Sequence, residues 1–153
     1  MITRLTLNVN VVADEVLAET ALRHHLSTDK VPVLSRDRME ALVLMIWASF
    51  ARMCIRMMGC VVDCSCGDES LEDDGGNPLL SVDIEHEPTA SALTWVHALQ
   101  HALAMDVLGE SLAGIDDRAS AMYVKRGEGL VSGVLRDVSM SGLGGARIVP
   151  HIY

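Results

Sequence analysis

The sequence predicts a mainly α domain of four helices with a small antiparallel β-sheet, and three observations carry that prediction. From Met39 to Met57 apolar residues return every 3.6 positions for five turns. At the start of the chain Leu5, Leu7, Val9 and Val11 alternate with Arg4, Thr6, Asn8 and Asn10, which is the period of a half-buried strand. Half of the 153 residues are apolar but only five are aromatic, so the core is built from Leu, Val, Ala and nine Met, a mixture that favours helices. A chain of this length is one domain and buries roughly 70% of its unfolded surface without a staple.

The first strand is expected at about 2–9. From Val11 to Leu26 the positions Val12, Val16, Leu17, Thr20 and Ala21 fall at helical spacing, with Asn10 as candidate cap and Asp14 and Glu15 in the first turns. Residues 27–32, ending in Pro32, break this helix. The second helix is expected over 36–58, roughly 34 Å long, with Ser35 as its cap and Gly59 as its terminator. Two short β-compatible segments, 60–66 and 79–86, flank an acidic, glycine-containing stretch from Gly67 to Pro78 and read as a hairpin; with the first strand they make a three-stranded sheet. A third helix, 89–111, is apolar nearly all round (Leu93, Val96, Leu99, Leu103, Val107, Leu108), so it is buried either in the fold or between subunits. Asp116-Asp117 opens a fourth, to about Val138. Gly127, Gly129 and Gly133 interrupt it, which implies a close backbone approach or a break. The domain is thus 1–138, followed by an extended tail, 139–153.

Composition excludes some functions. The net charge is −9, and the ten Arg and two Lys are scattered, so there is no basic stripe to replace phosphate counterions and no specific nucleic-acid binding is expected. The longest apolar run, Ala41 to Ala51, is too short to span a bilayer. No apolar leader follows Met1, so folding in a cytoplasm without disulfides is expected.

Candidate chemical motifs fail on spacing. Cys54, Cys60, Cys64 and Cys66 lie close together, but a structural zinc site pairs two short Cys-x-x-Cys-like arms. Small apolar residues lining a helix end and a strand are the simpler reading. His97 and His101 stand at the spacing of zinc hydrolases, yet Ala98 occupies the place of the general-base Glu, and a hydrogen-bonded interface pair is the simpler reading. The acidic loop lacks the ligand positions of an EF-hand. Gly142-Leu143-Gly144-Gly145 follows a helix rather than a strand and fits no dinucleotide fingerprint. No serine sits in a Gly-x-Ser-x-Gly elbow. No enzyme class, cofactor or metal is expected.

The order of elements carries a resemblance. A short strand runs into Val9-Asn10-Val11-Val12-Ala13-Asp14-Glu15-Val16, a long helix follows a charged opening from Asp29 to Arg38, and an acidic hairpin ends Ser81-Val82-Asp83-Ile84. Two helices joined by Gly114-Ile115-Asp116-Asp117 then lead to a tail ending Arg147-Ile148-Val149-Pro150. This layout resembles the small neck proteins of tailed bacteriophages, the head–tail connector or adaptor type, as in phages of gut Bacteroidales. It differs from them in its few aromatics, its glycine-interrupted fourth helix and its less basic tail.

The resemblance implies an α+β, adaptor-like helical domain acting as a non-enzymatic virion subunit, assembled in the host cytoplasm into a twelve-fold ring beneath the portal. Its partners are copies of itself, the portal and other neck or tail proteins; DNA passes nearby without specific binding, and no membrane is involved. The interface residues it implies are Arg147, Ile148, Val149, Ile152 and Tyr153 of the tail, Leu71 of the hairpin loop and Trp95 of the third helix. Two other readings stand beside it. One is a helical oligomeric binding or regulatory module of a bacterial cytoplasm; the other is a small metal-binding protein using Cys60, Cys64, Cys66 and the His97/His101 pair.

Overall fold

The computed structural model describes residues 2–26, 39–57, 61–65, 78–86 and 90–142. Among these the elements are β1 (Ile2–Asn8), α1 (Val9–Leu26), α2 (Met39–Arg56), β2 (Val61–Ser65), β3 (Leu79–Glu85), α3 (Ser91–Leu112) and α4 (Asp117–Gly142). The fold is therefore mainly α with a small antiparallel sheet, as the periodicities predict. The strand order is β1-β3-β2, so the first strand completes a three-stranded sheet beside the hairpin. Leu5 is opposite Val82 and Leu7 opposite Leu80, which puts the apolar residues of β1 and β3 on one face. That face is fully buried, while Arg4 and Thr6 point to solvent.

β1 passes into α1 without a loop. The Asn8 side-chain oxygen accepts the backbone N–H groups of Asn10 (2.9 Å) and Val11 (3.3 Å), and the Val9 N–H donates to the Pro78 carbonyl (3.1 Å). Asn8, not Asn10, is thus the cap, and the helix begins two residues earlier than the alternation suggests. Val9 and Val11 continue the strand pattern in sequence, but a cap acts on the N–H groups two and three residues ahead, and only Asn8 is placed to do so.

α3 is the axis of the domain. It packs against α1, α2, α4 and β1, and its buried residues run around its circumference: Trp95, Leu99, Ala102 to Met105, Val107, Leu108 and Leu112. The apolar character thus belongs to the interior of the fold, except at Leu93, which lies in the first turn of the helix and is 65% exposed. Trp95 is 2% exposed and meets the His86 ring edge to face at 5.1 Å, so the expectation that it faces a partner is corrected. A central helix must be covered on every side, and Trp95 is part of that cover.

The turn into α4 uses Gly114 at φ 81°, whose N–H donates to Asp117 Oδ1 (2.8 Å), while Asp116 Oδ1 accepts the Ala119 N–H (3.1 Å) and caps the helix. α4 does not break at its glycines. A methyl group at Gly127 would lie 3.1 Å from the Ala102 carbonyl oxygen, whereas Gly129 and Gly133 face open space. Of the two expectations, a close approach or a break, Gly127 meets the first, and Gly129 and Gly133 meet neither. α4 also runs to Gly142, so residues 139–142 are helical rather than the start of an extended tail. Ser35, Gly59, the acidic loop and residues 143–153 lie outside the described residues. No helix among the described residues is long and apolar enough to cross a membrane.

Candidate interaction surface

The inward face of α2 carries Leu42, Ile46, Ser49, Phe50 and Met53, all buried. Polar contacts along its flank set its rotation. Ser49 Oγ donates to Asp106 Oδ2 at 2.7 Å, and Arg52 Nη2 donates to the same oxygen at 2.7 Å and to Glu110 Oε2 at 3.1 Å. One turn on, Arg56 Nη2 lies 3.4 Å from Glu128 Oε1 on α4. The hydrogen bond from Arg52 to Asp106 raises the pKa of the guanidinium against the opposing effect of burial. Three successive turns of α2 are therefore tied to α3 and α4.

Fixing the helix in this way turns a second apolar row outward. Ala41, Leu44, Ala48, Ala51 and Ile55 are all exposed, Leu44 by 62% and Ile55 by 67%. Their spacing alternates three and four residues, the seam spacing of helices that pack nearly parallel or antiparallel. Half-buried Met45 and Trp47 flank the row and widen it. The other large exposed apolar residues, Val11, Leu22, Leu93, Ile115, Met122 and Met140, are distributed over α1, α3, the α3–α4 turn and α4. Single residues of that kind are ordinary on a protein surface, whereas a row along one helix is a candidate interaction face.

The concave features are small or open. Beneath Ser49, Arg52 and Asp106 lies a cavity of about 10 Å³, also lined by Ala102 and Gly127 and sized for one water. A shallow depression of about 410 Å³ is bounded by Arg23, Asp116, Arg118, Ala119 and Met122. It mixes both charges at its rim.

The residues singled out by sequence fall as follows. His97 is exposed, and His101 pairs through Nδ1 with the Glu15 carboxylate of α1, so the pair does not converge on a common ligand. Cys54 is half-buried on α2 and Cys64 lies in β2, while Cys60 and Cys66 are outside the described residues. Among the described residues no three His, Cys, Asp or Glu side chains gather as a metal site. Leu71, Arg147, Ile148, Val149, Ile152 and Tyr153 are likewise outside the described residues.

The outward row of α2 was not singled out by sequence, although a signal was present. The stretch from Ala41 to Ala51 is apolar at every position but Ser49, and a helix apolar on all sides cannot bury every side against one neighbour. No protein family, curated protein or solved structure matches the chain.

Proposed function

We propose that this protein is a non-enzymatic assembly subunit that works by packing its outward α2 face against other protein, in the setting its layout resembles, the neck of a tailed phage. The observation that carries this reading is the exposed row Ala41, Leu44, Ala48, Ala51 and Ile55, held outward by the ties of Ser49, Arg52 and Arg56 along one flank of the helix. A subunit of a ring needs two different surfaces that meet head to tail. The α2 row supplies one, and the residues after Gly142 are proposed to supply the other. The negative net charge suits a protein past which DNA slides without being held.

The test is the mass of the purified protein in solution, alone and mixed with the portal of a candidate phage. A ring-sized species, or co-migration with the portal, supports the neck reading. A dimer indifferent to the portal supports the second reading, a dimeric binding or regulatory module. A monomer that binds neither itself nor the portal contradicts both.

A further inference from the structure

We draw no further inference here: the strongest candidate, the outward apolar row of α2 formed by Ala41, Leu44, Ala48, Ala51 and Ile55, carries nothing beyond the surface already described, because nothing in the structure shows what covers it.

Discussion

Gln100 Oε1 accepts the backbone N–H of Asn8 at 2.9 Å, joining the end of β1 to the middle of the central helix. Gln100 is 6% exposed, one of few polar side chains in the core, and this bond accounts for its burial. Replacing it with Leu keeps the bulk but strands the Asn8 donor. Gln100→Leu is expected to cost about 1–2 kcal/mol, read as a lower urea midpoint with an unchanged slope.

Asn8 serves the same junction with its side chain. Asn8→Ala removes the acceptor of two helix-start N–H groups, and is expected to cost roughly 0.5–2 kcal/mol. Asn10→Ala, at the position the alternation suggests as cap, is expected to cost less. Parallel urea melts of the two variants measure the difference directly.

The α4 glycines separate by surroundings. Gly129→Ala and Gly133→Ala add a methyl group in open space within a helix, and each is expected to stabilise by up to about 1 kcal/mol. Gly127→Ala puts that group 3.1 Å from the Ala102 carbonyl oxygen on buried α3, a backbone atom with little freedom to retreat. It is expected to lower the melting temperature despite its better helix propensity. Thermal melts that rank all three alike would refute the close-approach account.

Arg4 and Asp83 face each other across β1 and β3, with Arg4 Nε 2.7 Å and Nη2 2.8 Å from the two carboxylate oxygens. The hydrogen bond from Arg4 holds the Asp83 pKa below its ordinary 3.8 against the opposing effect of burial, and the charge of Arg4 adds a lesser contribution in the same direction as the bond. A carboxylate with a lowered folded pKa stabilises the fold above the ordinary value, and that contribution is lost as pH falls through the lowered one. The stability difference between wild type and Arg4→Gln is therefore expected to be full near neutrality and to shrink below about pH 4. Arg4 is exposed, so added salt should shrink it as well.

Tyr123 joins α4 to α1: its hydroxyl donates to Glu19 Oε1 at 2.7 Å and accepts from Arg23 Nε, whose guanidinium lies 4.8 Å from the ring centroid. Burial raises its pKa above 10 against the opposing effect of Arg23, and Glu19 adds to the rise. The fold therefore favours the neutral phenol, and this stabilisation is lost as pH rises above the ordinary value towards the raised one. Spectrophotometric titration should show one tyrosine ionising late, and Tyr123→Phe should abolish that step.

The existence and order of the helices and strands were legible in the sequence, because period and punctuation are local properties. The cap at Asn8 was not, because two asparagines two residues apart compete and only the geometry of the strand end selects between them. The candidate interaction surface was half legible. The unbroken apolar run from Ala41 to Ala51 shows that α2 has apolar residues to spare, but not which of its faces the core takes.

By itself the sequence determined a mainly α domain with a three-stranded edge, a long apolar second helix and an excess of negative charge. Tertiary structure decided that α3 lies at the centre and takes Trp95 inward. It also decided that Gly127, unlike Gly129 and Gly133, makes room for a neighbour, and that Ala41, Leu44, Ala48, Ala51 and Ile55 are turned out. The reason is physical. Which face of an apolar helix is buried depends on contacts between residues far apart in the chain, here Ser49 and Arg52 with Asp106, and no local pattern encodes them.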